Sequence, residues 1–367
     1  MLTNIIEEAR RQIDICNACR YCEGYCSVFP AINRERVFSD GDVVQLANLC
    51  HNCRGCYFAC QYTEPHEFSL NLPKVLAEVR QDSWQDNAVP SFVAGMFHKS
   101  GVAMMLATIA GFALIITLIS MFGSSTGEGF YGVLSHNAMV AIFAPAFLLP
   151  LLLVAFSVRK YWKAIGGEKI QLSDFHEAIK SIGNMKNLSG GHGDGCNFED
   201  EDRFSNARRW LHQAVMYGFL LCFAATSVAT LQHYIFALPA PYNLISLPKL
   251  FGVSGGVLLS IGTLGMAWLK LKADRHLSDT RTWGGEMAFV LLLFLVSTTG
   301  LALYAFGGTA IMNELLVIHL GSVMAFFVLT PFSKMVHGFY RLASLLKDAQ
   351  NLRPDQVHAN LNPIEET

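Results

Sequence analysis

The sequence predicts an all-α protein in which a small helical, cysteine-rich domain precedes six membrane-spanning helices. Eight of the ten cysteines fall into two identical patterns within the first sixty residues, and long uncharged stretches recur after residue 100. With 52% hydrophobic and only 15% charged residues in 367, the chain is too apolar for an ordinary soluble protein. Its net charge of -2 gives no reason to expect a nucleic-acid partner.

The cysteine patterns are two copies of C-x2-C-x2-C-x3-C. The first copy is Cys16, Cys19, Cys22 and Cys26, and the second is Cys50, Cys53, Cys56 and Cys60. This spacing places three thiolates around one four-iron, four-sulfur cube and sends the fourth to a neighbouring cube. Two copies supply the eight thiolates that two 4Fe-4S clusters require. By this crossed rule, Cys60 joins the first three cysteines at one cluster, and Cys26 joins Cys50, Cys53 and Cys56 at the other.

Disulfides and structural zinc are the weaker uses of these cysteines. A disulfide framework suits a small secreted domain, whereas residues 1–14 are charged and amphipathic and do not resemble a secretory signal. Structural zinc usually takes paired C-x2-C knuckles, so the third cysteine of each run would be surplus. Neither run ends in the Cys-Pro of bacterial ferredoxins, and a helical stretch within Val37–Leu49, capped by Asp40 or Asp42, separates the runs. This favours a helical ferredoxin over the compact β-rich form.

Six uncharged stretches after residue 100 are long enough to cross a bilayer. They are Val102–Phe122, Ala138–Val158, Gln213–Leu238, Leu250–Leu269, Met287–Phe306 and Met312–Phe332. The fourth is rich in glycine, which favours either close helix packing or contact with a flat porphyrin. We therefore predict a cysteine domain at 1–95, a six-span domain at 96–340 with an insert at 159–211, and a polar tail at 341–367.

Basic residues in the connections predict the orientation. They follow the second, fourth and sixth spans: Arg159, Lys160, Lys163, Arg203, Arg208, Arg209, Lys270, Lys272, Arg275, Arg281, Lys334, Arg341 and Lys347. The connections Gly123–Asn137 and Gly307–Ile311 contain none, and Pro239–Lys249 contains one. Both termini are therefore expected on the cytoplasmic side of the inner membrane, where the reducing cytosol keeps thiolates available to iron.

The insert contains a polar segment, Leu172–Asn206, which is expected to be an ordinary solvated loop. It carries a glycine-rich turn at 190–195 and an acidic run, Glu199–Asp202. Cys196, with His192 four residues earlier, is an alternative metal ligand or partner contact. The tail after Lys347 is expected to be polar and mobile.

Four histidines on the third span and on or beyond the sixth predict b-type haem. His212 and His233 mark the inner and outer ends of the third span, while His319 lies in the outer part of the sixth span and His337 just past its inner end. His319 and His337 are 18 residues apart, five helical turns, so a continuous helix would project both from one face about 27 Å apart. Pairing His212 with His337 and His233 with His319 predicts two stacked haems. The expected architecture is a helical ferredoxin-like domain followed by a six-helix b-type cytochrome bundle.

Other histidines remain open as ligands. Pro331 lies between His319 and His337, and a kink there would spoil the five-turn count. His98 and His276 are alternatives for one member of the inner pair, and His136 is the next candidate on the outer side. An imidazole among Leu315, Leu316, Val317 and Ile318 is costly unless it is bonded or ligating, which singles out His319. No C-x-x-C-H occurs, which excludes covalently attached haem.

The two cysteine runs followed by six spans resemble the tricarballylate-utilisation protein B family, also called citrate-utilisation protein B. The resemblance rests on residues 16–26, residues 50–60 and the order of the domains, and covers nearly the whole chain. It implies an electron carrier that accepts electrons from the reduced FAD of a separate tricarballylate dehydrogenase and passes them through iron-sulfur clusters and haem to the membrane. The membrane part also resembles, more distantly, dihaem cytochrome b subunits of respiratory nitrate reductases.

The resulting prediction is an electron-transfer subunit that reduces membrane quinone, not a stand-alone enzyme. No Gly-x-Gly-x-x-Gly follows a predicted strand, so the flavin is expected in a partner. One rival is a quinol-dependent membrane reductase of a cytosolic disulfide in which Cys196 takes part. The other is a redox sensor or transporter, although transporters tend to carry broken spans and paired midplane charges.

Overall fold

The computed structural model of the protein describes residues 2–122, 130–199, 202–238, 240, 242–243 and 245–353. Within these residues the secondary structure is helical, apart from one isolated antiparallel bridge between Cys196 and Ser205. Parts of the predicted connections Gly123–Asn137 and Pro239–Lys249, of the acidic run Glu199–Asp202 and of the C-terminal tail lie outside the described residues.

Five helices build the cysteine-rich domain: α1 (Leu2–Cys19), α2 (Phe29–Ile32), α3 (Asp40–Leu49), α4 (Gly55–Phe58) and α5 (Leu72–Asn87). Helix α3 separates the two cysteine runs, as predicted, but neither aspartate is its N-cap. Ser39 accepts a hydrogen bond from the backbone N–H of Asp42, and the Asp42 carboxylate accepts one from the backbone N–H of Ser39. This capping box makes Ser39 the N-cap of the helix, one residue before Asp40, the earlier of the two predicted caps.

The remainder of the chain forms nine helices in the described residues. They are α6 (Ser91–Phe122), α7 (Phe130–Val133), α8 (His136–Ala164), α9 (Leu172–Asn184), α10 (Ala207–Tyr234), α11 (Leu247–Lys272), α12 (Trp283–Phe306), α13 (Met312–Leu329) and α14 (Val336–Asn351). Six of them (α6, α8, α10, α11, α12 and α13) are long and apolar enough to cross a membrane, and each overlaps one predicted span. Large apolar side chains such as Leu114, Leu149 and Leu264 are exposed on them, as helices facing lipid require. The protein is a multi-pass membrane protein.

The glycines of α11 let its backbone approach that of α10 closely. A Cβ atom added to Gly255 would lie 2.8 Å from the carbonyl oxygen of Gly218, and one added to Gly218 would lie 2.6 Å from the backbone nitrogen of Leu259. A Cβ on Gly262 would meet the Leu211 carbonyl oxygen at 2.9 Å. Of the two predicted roles for these glycines, the structure shows helix packing.

The basic connections all lie at one end of the bundle, against the cysteine domain. Lys160 donates to the carbonyl of Asp86 (2.6 Å), and Arg341 donates to the carbonyl of Asn48 (3.0 Å). Asn52 in turn donates to the carbonyl of Leu277, in the connection after α11 (2.9 Å). The positively charged side of the membrane part therefore carries the cysteine domain.

The sixth span and the segment after it differ from the prediction. Helix α13 ends at Leu329, a 3-10 turn covers Thr330–Phe332, and α14 begins afresh at Val336. Since Pro331 has no backbone N–H to continue the helix, the chain turns there. The five-turn relation between His319 and His337 is therefore wrong.

Helix α14 also runs through the predicted start of the polar tail at residue 341. Its buried residues Leu345, Leu346 and Ala349 pack against the rest of the protein, and the first two belong to the core of the cysteine domain. The expectation of a mobile tail directly after Lys347 is therefore wrong for the residues up to Asn351. These residues belong to α14, whose apolar face is buried against the protein.

Candidate functional site

The first group of cysteines lies near the protein surface. Cys16, Cys19, Cys22 and Cys60 line one small pocket, together with Tyr21 and Gln61. Cys19 and Cys60 are half-buried, and the neighbouring Tyr21 side chain is 67% exposed. Burial, with the adjacent thiols second, raises the pKa of Cys22 to about 12. We refer to these four residues as the outer cysteine set.

The second group is buried beneath the insert. The thiols of Cys26 and Cys56 lie next to each other, and those of Cys50 and Cys53 lie near Cys26. Cys26, Cys53 and Cys56 are buried, while Cys50 is half-buried. We refer to these four residues as the inner cysteine set. The structure thus brings Cys60 to the first run and Cys26 to the second, which is the partition that the crossed rule predicts.

Each set supplies four thiols, the number that one cubic iron-sulfur cluster takes. Among the described residues, no three or more His, Cys, Asp or Glu side chains converge closely enough to hold one metal ion. A tetrahedral zinc site needs four ligand atoms about 2.3 Å from a common centre. In a cubic cluster each thiolate binds a different iron, so the four sulfur atoms stand farther apart.

The segment expected to be a solvated loop, Leu172–Asn206, instead covers the inner cysteine set; that expectation is wrong. After α9 the chain forms a 3-10 turn at Lys186–Leu188 and the bridge at Cys196. The backbone N–H of Asn197 donates to the carbonyl of Cys53 (2.8 Å). Cys196 is only 2% exposed and packs with Cys53, Met185 and Leu188.

Close backbone contact fastens this cover to the first cysteine run. A Cβ atom on Gly191 would lie 2.1 Å from the carbonyl oxygen of Gly24, so no side chain fits at Gly191. Tyr25 stacks on Phe204 with ring centroids 6.0 Å apart, and His192 packs edge-on against both rings. His192 is therefore an aromatic packing residue here. The glycine-rich turn was visible in the sequence, but its contact with Gly24 in the first cysteine run was not.

Four arginines, one of them buried and three half-buried, surround the second run, and their role was not predicted from the sequence. Arg80 and Arg341 both donate to the carbonyl of Cys50, at 2.7 and 2.8 Å. Arg208 donates to the carbonyl of Asn52 (2.8 Å), and Arg54, almost fully buried, donates to that of Phe198 (2.9 Å). Burial, with the Arg80 cation second, lowers the pKa of Arg341 to about 9. The cations crowd between the inner cysteine set and the membrane helices.

A cavity of about 360 Å³ lies beyond these arginines, between the cysteine domain and the inner ends of the spans. It is lined by His51, Asn52 and Arg54 of the second run, by α5, by α10 to α12 and by α14. Its apolar wall includes Val215, Phe219, Met266 and Leu293. Pockets for cofactors usually measure about 300–1,000 Å³ and are mostly apolar with a few placed polar groups.

His212 and His337 both line this cavity, and the structure brings them together. Their ring centroids are 5.9 Å apart, with ring planes at 86°. Two imidazoles on opposite sides of one metal, with bonds of about 2 Å each, place their ring centres about 6 Å apart. The Nδ1 of His337 bonds to the carbonyl of Lys334, which leaves its Nε2 for a metal. The residues present therefore fit a haem, whose iron His212 and His337 would hold.

A third histidine lines the cavity and was not predicted. The Nδ1 of His51 bonds to the carbonyl of Leu49 (3.0 Å), and the residue directly follows Cys50. Burial, with the Arg341 cation second, holds the pKa of His51 well below its ordinary value, so the ring is neutral. The sequence carries no separate signal for His51, because it lies inside a cysteine run whose spacing already indicates a cluster site.

The two alternatives for the inner pair lie elsewhere. His98 is buried, with its Nε2 hydrogen-bonded to Gln81, and it does not line the cavity. His276 is exposed on a 3-10 turn, Arg275–Leu277. The structure therefore favours His212 and His337 over either of them.

The described side-chain contacts of the two predicted outer ligands, His233 and His319, are with other residues. The described ring contacts of His233 are with His136, whose centroid is 4.3 Å away, and with Tyr234. His136 also hydrogen-bonds to the Tyr234 hydroxyl (3.0 Å). His319 bonds through Nδ1 to the Thr299 hydroxyl (3.0 Å) and packs against Gly300. The pairing of His233 with His319 stays a prediction.

These features define a class of protein: an all-helical, multi-pass membrane protein with an N-terminal domain of the ferredoxin type. Comparison with known families agrees at both ends of the chain. Residues 9–86 match the family described as citrate utilization protein B Fer4-like domain, and residues 94–357 match citrate utilization protein B. The chain belongs to the citrate utilization protein B family.

A curated relative supports this assignment over most of the length. The chain is 42% identical over 354 residues to the citrate utilization protein B of Escherichia coli, covering 95% of this chain and 93% of that protein. No solved structure matches the fold. The Fer4-like domain and its clustered cysteines indicate iron-sulfur clusters.

Proposed function

We propose that the protein carries electrons from a cytoplasmic reductant into the membrane through two 4Fe-4S clusters and b-type haem. The observation that carries this proposal is that residues between the inner cysteines line the cavity of His212 and His337. Arg341 donates to the carbonyl of Cys50 and lines that cavity, and residues 51 and 52 line it as well. Cysteines and histidines thus form one continuous region across two domains.

The surroundings of the two cysteine sets support one order of transfer. The outer set lies beside exposed Tyr21, where a partner protein can approach. The inner set is shielded by the insert, and its chain neighbours His51, Asn52 and Arg54 line the cavity. Electrons therefore enter at the outer set, pass to the inner set and continue toward His212 and His337.

The side chains hold the cofactors and keep water away from the inner ones. Four thiolates hold each cluster, and neutral imidazoles of His212 and His337 hold the haem. Iron-sulfur clusters and haem each exchange single electrons, which divides the electron pair of a flavin. The buried insert excludes solvent from the inner set.

The family suggests the donor and the acceptor. We infer a separate FAD-dependent dehydrogenase, with tricarballylate as its substrate, as the donor, and membrane quinone as the acceptor. Six membrane spans give direct access to a lipid-soluble acceptor. The reducing cytosol suits the cysteine domain, so we place both termini on the cytoplasmic side of the inner membrane, in line with the basic connections.

The rival function, reduction of a cytosolic disulfide by Cys196, has less support. A thiol that attacks a substrate disulfide must be accessible. Cys196 is 2% exposed, bonds to the carbonyl of Leu188 (3.3 Å) and packs against Cys53. It is therefore placed to influence a cluster and not to meet a substrate.

Cofactor analysis of the purified protein tests the proposal. We expect eight iron atoms in clusters, eight acid-labile sulfides and at least one haem per chain, since each cubic cluster contains four irons and four sulfides. The haem should show a low-spin spectrum with two axial histidines. About one zinc per chain without labile sulfide would contradict it.

A further inference from the structure

Among the described residues, cationic side chains outnumber carboxylates in the lining of the cavity of His212 and His337. Apart from Arg54, six cations line it, against two carboxylates: Arg80, Arg208, Arg275, Arg341, Lys270 and Lys334, with Asp279 and Glu286. Buried charges are ordinarily paired, because an isolated ion loses its hydration. An excess of this kind indicates an anionic ligand.

The cations that form ion pairs with a carboxylate lie in a different part of the cavity from Arg80, Arg208 and Arg341. Glu286 forms ion pairs with both Lys270 and Lys334. Within the described part of the chain, Arg80, Arg208 and Arg341 form no ion pair with a carboxylate. The unmatched charge is therefore concentrated on the side of the inner cysteine set.

These arginines are fixed in place and still have donors to spare. Each guanidinium has five N–H donors. Arg208 uses Nη1 on the carbonyl of Asn52, and its buried Nε has no partner among the described residues. Arg341 uses Nε and Nη2 on the carbonyls of Asn48 and Cys50. The Arg208 guanidinium also lies over the Phe198 ring, 4.0 Å from its centroid, and beside the Cys196 thiol. Within the described residues, no hydrogen bond to an oxygen or nitrogen engages Nη2 of Arg208 or Nη1 of Arg341, and these donors can serve a ligand.

The sequence spacing links two of these arginines to the two histidines. Arg208 precedes His212 by four residues on α10, and Arg341 follows His337 by four residues on α14. Residues four apart lie on the same face of a helix. Each histidine-bearing helix therefore presents one imidazole and, one turn closer to the cysteine domain, one guanidinium.

We propose that Arg208 and Arg341, assisted by Arg80, bind the two carboxylates of the porphyrin whose iron His212 and His337 hold. This inference rests on the proposed function and adds the orientation of the ligand. Guanidinium groups bind carboxylates through paired, charge-assisted hydrogen bonds. The carboxylate edge of the porphyrin then faces the inner cysteine set, and its apolar edge faces the membrane helices.

Reconstitution with a porphyrin that lacks free carboxylates tests the inference. Protein produced without haem is titrated with iron protoporphyrin IX and, separately, with its dimethyl ester, and low-spin absorbance gives each dissociation constant. We expect the free acid to bind at least about tenfold more tightly, a difference of about 1.4 kcal/mol. Arg208→Gln and Arg341→Gln should each reduce this ratio.

Arg209→Gln is the matched control, because Arg209 bonds to the carbonyl of Asn184 (2.8 Å) and does not line the cavity. Its ratio should equal that of the wild type. Equal affinity of the wild type for the free acid and the dimethyl ester would overturn the inference. The same result is expected if the arginines bind a free carboxylate anion and not the porphyrin. Absence of a low-spin spectrum with either porphyrin would instead contradict the proposed function.

Discussion

The two cysteine sets have the same spacing in the sequence but opposite surroundings in the structure. In the outer set Cys19 and Cys60 are half-buried, and Tyr21 beside them is exposed. In the inner set Cys53 and Cys56 are buried under the insert. Among the described residues, the inner set and not the outer one has direct chain neighbours, His51, Asn52 and Arg54, in the lining of the cavity of His212 and His337. Under the proposed function, the outer set would exchange electrons with a partner and the inner set would pass them inward.

The difference arises from parts of the chain remote from both motifs. The insert supplies Asn197 and Cys196 to the inner set, α10 supplies Arg208, and α14 supplies Arg341. The outer set is lined by the first run, by residues 60–62 and by Leu70. The membrane domain therefore contributes to one cluster site only.

The largest expected effect is at the histidine pair. His337→Ala should remove one low-spin haem completely, because a single remaining axial imidazole cannot give the same spectrum. Both clusters should remain, since their ligands lie in another domain. Haem content and electron paramagnetic resonance (EPR) spectra measure the two outcomes.

His276→Ala is the control for this substitution, because the His276 side chain is exposed and does not line the cavity. It should keep full haem content. If the cluster next to the cavity is the inner one, His337→Ala should also alter the EPR signal of that cluster while leaving the outer one unchanged. Unchanged haem in His337→Ala would show that the inner pair is assigned wrongly.

A smaller effect is expected when the cover is lifted from the inner set. Gly191→Ala places a methyl group against the Gly24 carbonyl, where only 2.1 Å is available, so the insert must shift. Such overpacking costs about 1–3 kcal/mol. In air, the inner cluster should then be lost faster, and iron content should fall toward about half of its initial value, since one of two equal clusters remains.

Gly183→Ala provides a matched control in the same insert. Gly183 lies on α9, and a Cβ there would meet only the Tyr217 hydroxyl at 3.8 Å, an ordinary contact. The rate of iron loss in air should match that of the wild type. Equal rates in Gly191→Ala and Gly183→Ala would mean that the insert does not protect the inner set.

The smallest expected effect is at Cys196. Hydrogen bonds to cluster sulfurs influence reduction potential. Cys196→Ala should therefore shift the potential of the inner cluster, leave that of the outer cluster unchanged and preserve electron flow. Redox titration followed by EPR measures both potentials. Complete loss of electron flow in this variant would favour the disulfide-reductase rival.

Local patterns made much of the architecture predictable. The six spans were visible as uncharged stretches, and the cysteine spacing gave the partition between Cys26 and Cys60 that the structure shows. The position of the insert was not predictable, because its polar composition is that of a solvated loop. Its role in covering the inner cysteine set depends on contacts with residues distant in the sequence, such as Gly24 and Cys53. The sequence likewise does not show which helices are neighbours.

The histidines illustrate this limit. His212 and His337 are adjacent, as predicted. The prediction assumed one continuous helix from His319 to His337, however, and that helix is broken at Pro331. His233 lies against His136 because α8 begins beside the end of α10. Lateral helix order of this kind depends on packing contacts, such as those of the α11 glycines, and not on periodicity.

The most direct test of the order of transfer is rapid mixing of the oxidised protein with its reduced flavoprotein donor. In Cys53→Ala the outer cluster should be reduced as fast as in the wild type, while the haem stays oxidised, because the inner set is the link to the cavity. In Cys19→Ala neither the inner cluster nor the haem should be reduced at the normal rate. Haem reduction at the wild-type rate in Cys53→Ala would contradict transfer through the inner cysteine set.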